Sequence, residues 1–278
     1  MEKIKIITDS TCDLPKDIIE EFDIEVIPLS VNISCNSYKD GVDITFDKLD
    51  KIITETEDFP TTSHINPDVF KEVYESYLNK GYKIISIHIS NKLSATYQSA
   101  SIAKNILDTK DIFIYDSLNV GGGLGMLVYE CGVMVKSGCS VDEICSFLER
   151  SIPTIKSRVI IDSLYNLIRA GRIGRTVGMI GNFFGIKPVL SVIEGELILV
   201  DKFKKTKSIL EYLIKFINDN DIDQETKIWI VYSKGSVLLN DIKSYLDSRG
   251  YKYFAVHVGC VVGAYSGNKC TGIFIRKD

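Results

Sequence analysis

The sequence predicts a two-part α/β protein: a mostly parallel sheet flanked by helices, then an α/β half with an antiparallel or mixed sheet. Three observations carry this. Short runs rich in isoleucine and valine alternate with helical patterns through the first half, the signature of crossover units. The second half holds two strand-like runs separated by only two residues, which implies an antiparallel hairpin. The 278 residues are also more than one core usually takes, so about two domains are expected.

In order along the chain, "KIKIITDS", "EVIPLSVNI", "KIISIHIS" and "DIFIYDS" read as strands. Helices are expected over 15–22, 67–78 and 94–107, with Asn66 capping the second and Pro67 opening it. Pro28 cannot donate to a ladder, which places the second strand near an edge or a bulge. The run 120–135 reads as a buried helix: it contains Glu130 and several glycines and is shorter than the roughly 20 residues a bilayer requires. A helical stretch over 140–156 surrounds the expected boundary, giving domains of 1–150 and 151–278. Beyond it, "KPVLSVI" and "ELILVDKF" flank Glu194-Gly195, where the glycine supplies the positive φ of a tight turn. A helix over 205–218, the strand "KIWIVYS", a helix over 237–248 and the strands "KYFAVHVG" and "TGIFIRK" complete the pattern.

Composition narrows the function. Hydrophobic residues are 45% and charged residues 25%, as in ordinary globular proteins, and a net charge of -4 offers no concentrated positive surface for nucleic acid. The N-terminal apolar stretch is too short for a signal peptide. Seven cysteines, none in C-x-x-C spacing, suit reduced thiols in the cytoplasm rather than disulfides or a zinc site. Gly121, Gly122, Gly123 and Gly125 follow a strand, but Met126 stands where the last glycine of a dinucleotide fingerprint belongs. His64, His88 and His257 are scattered, and His88 and His257 sit inside strands, where a hydrogen-bonded core role is expected. Neither a metal nor a cofactor is implied.

What remains is a concentration of small hydroxyls at strand ends. Thr8, Asp9 and Ser10, then Ser90, then Asp116 and Ser117 each follow an apolar strand, so a parallel sheet brings them to one rim, the usual ligand position. Ser94, Thr96 and Ser99 crowd the start of the next helix. They either cradle an anion at a helix N-terminus or serve only capping and packing. Thr61, Thr62 and Ser63 form a second cluster in a loop before Asn66. Gly174, Gly178, Gly181 and Gly185, spaced four, three and four, would form a bare stripe on a helix beside Ile173, Val177, Ile180 and Phe184. Four glycines at about 1 kcal/mol each require a close neighbour, either packed backbone or a lipid-like ligand.

The segments "IITDSTCDLP", "PTTSHINPDVF", "SNKLSATYQSA", "DSLYNLIRAGRIG", "GIKPVLSVIEGEL" and "VGCVVGAYSG", in this order, give the chain a resemblance to the DegV family of bacterial fatty-acid-binding proteins. The resemblance implies one long-chain fatty acid between two domains, with no catalysis by the chain itself. It also implies an ATP-dependent fatty acid kinase as partner and transient membrane contact for loading. By similarity, Thr62, Ser63 and Ser94 with the backbone near Ala95 hold the carboxylate. Arg172 and Lys204 would face the head group or the partner. Ile173, Ile180, Phe183 and Phe184 are tail-pocket candidates. The family pattern H-x-G-P-G is replaced here by Tyr265 and its successors, so Tyr265 takes the place of the histidine. Two other readings stay open: an enzyme on a small polar substrate using Asp9, Asp116 or Tyr265, and an interaction module without a ligand.

Overall fold

The computed structural model describes residues 2–173, 185–220, 222 and 226–277. From the N-terminus, β1 (Ile4–Asp9) and α1 (Lys16–Glu21) lead to β2 (Glu25–Ile27), β3 (Ser30–Ile33) and β4 (Asn36–Lys39). Then come α2 (Phe46–Thr56), β5 (Thr61–Ser63), α3 (Pro67–Leu78), β6 (Lys83–His88), α4 (Thr96–Leu107), β7 (Ile112–Asp116), α5 (Gly122–Lys136) and α6 (Val141–Ser151). The second half runs β8 (Ile155–Ile160), α7 (Tyr165–Ala170), β9 (Lys187–Ile193), β10 (Glu196–Phe203), α8 (Thr206–Asn218), β11 (Ile228–Tyr232), α9 (Leu239–Arg249), β12 (Tyr253–His257), α10 (Cys260–Ser266) and β13 (Thr271–Arg276).

The first sheet is parallel, in the order β2-β1-β6-β7. Every residue of β1 is buried, as expected of a strand covered on both faces. Pro28 does more than mark an edge: β2 ends at Ile27, and the chain beyond the proline joins a separate three-stranded sheet, β4-β3-β5. Thr61–Ser63, expected as loop, is a strand of that sheet, pairing with Ser30–Asn32. The cap of α3 follows expectation, with the Asn66 side chain accepting from the Asp68 amide.

The larger sheet is mixed, in the order β10-β9-β8-β13-β11-β12, with only β11 and β12 parallel. The helical stretch expected over 140–156 stops at Ser151, and "IKSRVI" is instead the central strand β8. The hairpin β9-β10 turns on Glu194 and Gly195, both with positive φ (49° and 83°). Gly185, the one stripe glycine among the described residues, has φ 72°, a left-handed turn position that cannot continue a helix. The rest of the stripe and the pocket candidates Ile180, Phe183 and Phe184 lie outside the described residues.

Strand alternation divides the mixed sheet into two faces. Ile160, Val189, Ile230 and Ile273 pack on Ile209 and Leu213 of α8 and on Ile242 and Leu246 of α9. The intervening residues, Val159, Leu190, Val231 and Phe274, point the other way, towards the first half of the chain. α5 joins the two halves, and its glycines permit the approach: a Cβ on Gly122 would sit 2.7 Å from both Phe274 and Val231 side-chain atoms. The glycine run that fails as a nucleotide fingerprint is therefore a packing surface. The described cysteines are free, and Cys12, Cys131, Cys260 and Cys270 are buried. Among the described residues, no helix is long and apolar enough to cross a membrane.

Gly125 tests this packing, because a Cβ there would lie 2.5 Å from the Cys12 backbone oxygen and 3.3 Å from the Trp229 ring. Backbone cannot swing aside, so a clash of about 3 kcal/mol outweighs the helix-propensity gain of about 1 kcal/mol. Gly125→Ala should lower stability by about 2 kcal/mol in urea unfolding, and an unchanged midpoint would contradict the contact.

Candidate functional site

The carboxyl ends of β1, β6 and β7 share one rim, but most of their polar groups are consumed internally. Asp9 Oδ1 accepts from the Thr11 amide (3.1 Å) and hydroxyl (2.5 Å). Its Oδ2 accepts from the Ile89 amide (2.9 Å) and lies 3.1 Å from His88 Nδ1. His88 Nε2 is 2.7 Å from Ser86 Oγ, which in turn meets the Tyr74 hydroxyl at 2.8 Å. Asp9, Ser86, His88 and the Tyr74 side chain are all buried, so His88 is a hydrogen-bonded core histidine. Thr8 donates to the Ile87 carbonyl, and Asp116 accepts from the Leu118 and Asn91 amides. Burial pushes the Asp116 carboxyl above its ordinary range, partly offset by those amides. Ser90 donates to the Gly195 carbonyl at 2.8 Å and so ties the rim to the β9-β10 turn.

Above this rim lies a cavity of about 1090 Å³, its open mouth included. It is floored by the uncovered face of the mixed sheet through Val159, Leu190, Val192, Leu197, Val231 and Phe274. The rim and its loops contribute Leu29, Ile89, Leu93, Val120 and Gly121, while α10 adds Val261 and Val262. Gly272, in the central strand β13, leaves the floor open where a Cβ would stand 3.1 Å from the Phe274 ring and 3.3 Å from Val159.

Among the described residues, the polar lining consists of Thr62, His64, Ser94, Arg172, Tyr265 and Ser266, with no acidic side chain in the wall. The Thr62 and Tyr265 hydroxyls are 2.6 Å apart, joining β5 to α10. Ser94 Oγ accepts from the Thr96 amide at 3.3 Å and pairs with the Thr96 hydroxyl at 2.9 Å. Ser94 thus accepts from the first amide of α4 and lines the cavity, while the N-cap position itself is held by Ala95 without a side-chain bond. Arg172 is exposed at the wall, held by its own Nε to the Leu93 carbonyl (3.4 Å) and by Nη1 to the Ala170 carbonyl. Cys270, buried in the lining, has its thiol pushed up to about 12, chiefly by desolvation.

Of the residues expected from sequence, Thr62, Ser94, Ala95, Arg172 and Tyr265 line this one cavity. Ser63 does not: strand alternation turns it to the other side of β5, where its Oγ accepts from Asn32 Nδ2 at 3.0 Å. Lys204 is exposed at the end of β10 and is not part of the wall. Ile173 lies beside the cavity, bridging to Leu197 and packing with Leu164 and Leu167. Asp9 and Asp116 do not reach the lining. His64 was passed over in the sequence; had "TTSH" been read as a strand, its period of two would have set His64 on the side of Thr62. No group of three or more His, Cys, Asp or Glu side chains among the described residues could hold a metal ion.

A three-sheet α/β chain enclosing an apolar cavity with a few hydroxyls is the architecture of a small-molecule binder. The profile of the family described as "Uncharacterised protein, DegV family" matches residues 3–278, and the chain belongs to that family. A DegV domain-containing protein of Clostridium acetobutylicum is 44% identical over 99% of this chain and 98% of its own length. One of Clostridium perfringens is 38% identical over the whole of both chains. Among solved structures, the fold is similar to a DegV family protein from Thermus thermophilus described by its fatty acid binding. There the TM-score is 0.92 at 27% identity, over 99% of this chain and 100% of that one. It is also similar to a stearic-acid-binding protein from Eubacterium ventriosum, with a TM-score of 0.86 at 26% identity, over 100% of this chain and 99% of that one.

Thr62→Val keeps the shape of the side chain and removes the bond to Tyr265. Stability should fall by about 1 kcal/mol, the worth of a part-buried hydrogen bond. An unchanged urea midpoint would show that the two hydroxyls do not hold each other.

Proposed function

We propose that the cavity binds one long-chain fatty acid, tail against the mixed sheet and carboxyl group among Thr62, Ser94, the Ala95 backbone and Tyr265. The observation that carries this reading is a wall of aliphatic and aromatic side chains that, among the described residues, contains no carboxylate and gathers hydroxyls and one arginine. A tail of about 15 methylenes at ~0.8 kcal/mol each contributes on the order of 12 kcal/mol, ample after association costs. The head group is the harder end, because a buried carboxylate without donors is strongly disfavoured. Hydroxyls meet that demand without burying a second full charge. The Thermus thermophilus and Eubacterium ventriosum proteins, described as binding fatty acid and stearic acid, support the same ligand class.

In this reading the chain is a cytoplasmic carrier rather than a catalyst. Its first lobe, residues 1–150, supplies the carboxylate loops, and its second, from 151, covers the tail. The carrier meets a membrane transiently to load and presents the acyl carboxylate to an ATP-dependent fatty acid kinase. The exposed guanidinium of Arg172, at the cavity wall, is placed for that encounter. A rim enzyme acting through Asp9 or Asp116 is disfavoured, since both carboxylates are occupied by amides away from the cavity.

Ser94→Ala combined with Thr62→Ala removes two of the hydroxyls that would hold the carboxylate. Each such bond to a charged group is worth roughly 1.5–3 kcal/mol, so affinity should fall by about tenfold or more in fluorescent fatty acid displacement, with the fold retained. Unchanged affinity would refute the head-group assignment.

A further inference from the structure

The helix that carries Tyr265 is held at its start by two carboxylates of the first lobe. Gly259, the N-cap of α10, has no side chain to cap it. Its amide donates to Asp13 Oδ1 at 2.9 Å, while the Cys260 and Val261 amides donate to Asp40 Oδ1 and Oδ2 at 2.7 and 3.3 Å. Asp13 reaches this point from the loop after β1, in a left-handed conformation with φ 52°. Asp40 reaches it from the segment between β4 and α2. A Cβ on Gly259 would lie 2.8 Å from Asp13 Oδ1 and 3.2 Å from Asp40 Oδ2, so the two carboxyl groups converge on one spot. Both residues are buried, 7% and 3% exposed.

Among the described residues, no ion pair includes Asp13 or Asp40. The titratable groups around the pair are Asp9 and Cys12 from the same loop, Cys260 from α10 and Cys270 before β13, none of them positive. Two like charges in a dry site cannot both ionise cheaply, so the pair retains one proton. Burial first, and the Asp40 charge second, push the Asp13 carboxyl well above its usual range. Asp40 is raised less freely, because the Cys260 and Val261 amides favour its ionised form. The hydrogen-bond pattern assigns the proton to Asp13, whose Oδ2 is buried without a partner. That oxygen lies 3.4 Å from where a Cβ on Gly121 would stand, directly behind the cavity wall.

Resting on the fatty acid reading of the cavity, we propose that Asp13 and Asp40 together form a singly protonated clamp between the lobes that positions Tyr265. Loss of that proton, to solvent, loosens α10 and weakens head-group binding. The sign follows from the folded state holding a proton that the unfolded chain releases near its ordinary carboxyl range. The clamp is intact at low pH and fails as pH rises towards the raised value of Asp13.

The test compares the wild-type chain with Asp13→Asn, which keeps an oxygen for the Gly259 amide and cannot ionise. Two readouts are followed from the acid side to the alkaline side of neutrality. One is affinity for cis-parinaric acid, and the other is the Tyr265 ring resonance without ligand, assigned with Tyr265→Phe. In the wild type, affinity should fall about tenfold with rising pH while the resonance moves; in Asp13→Asn both should stay within about twofold of, or close to, their low-pH values. Parallel profiles in the two proteins would overturn the clamp. Should Asp13→Asn fail to fold, Asp40→Asn removes the neighbouring charge and should shift the wild-type transition to lower pH, an unmoved transition overturning the proposal. If no pH gives cis-parinaric acid binding but the resonance titrates only in the wild type, the clamp stands and the fatty acid reading fails.

Discussion

The structure depends on one unmet demand: the mixed sheet has two apolar faces but only one is covered by its own helices. α8 and α9 bury Ile160, Val189, Ile230 and Ile273. The opposite residues, Val159, Leu190, Val231 and Phe274, must be shielded by something else, because exposing such a face to water is costly. α5 shields part of it through its glycine-lined surface, and the rim of the parallel sheet, tied to the β9-β10 turn by Ser90, lies over the remainder. The cavity is that remainder. Its apolar character is therefore a consequence of strand alternation, and in the proposed function an apolar ligand completes the core there.

The polar end obeys a different rule. Buried hydroxyls and carboxylates are almost always paired, and the rim follows this closely: Asp9, His88, Ser86 and Tyr74 form one closed chain of partners. What reaches the cavity is what that network does not consume. Ser94 accepts from the Thr96 amide with an oxygen that still lines the wall, and Thr62 meets Tyr265 across the two halves of the chain. These hydroxyls donate or accept according to need, which suits a carboxyl group in either protonation state.

Local signals in the sequence were legible where one residue type decides the backbone. Asn66-Pro67 fixed the start of α3, Glu194-Gly195 the β9-β10 turn, and the isoleucine-rich runs the buried parallel strands. Pro28 was legible as an interruption, but the departure of the chain into another sheet depends on Val31 finding Tyr38 and Thr62, a long-range pairing. "IKSRVI" escaped as a strand because Lys156 and Arg158 face outwards towards α8, and Arg158 stacks on Phe216. The site was half visible. Thr62 and Ser94 stand out as clustered hydroxyls and Arg172 and Tyr265 by the family resemblance, whereas Ser63 falls on the other side of a strand that reads as a loop. Asp13 and Asp40 gave no local sign at all, since their importance arises only where residues far apart in the chain meet the start of α10.

The central claim, that a fatty acid supplies the missing cover of the mixed sheet, is tested most directly by what the purified protein carries. Denaturing extraction of freshly prepared protein, followed by mass spectrometry, should release a long-chain fatty acid in near-stoichiometric amount. An empty extract from repeated preparations, or a polar metabolite in its place, would contradict the account.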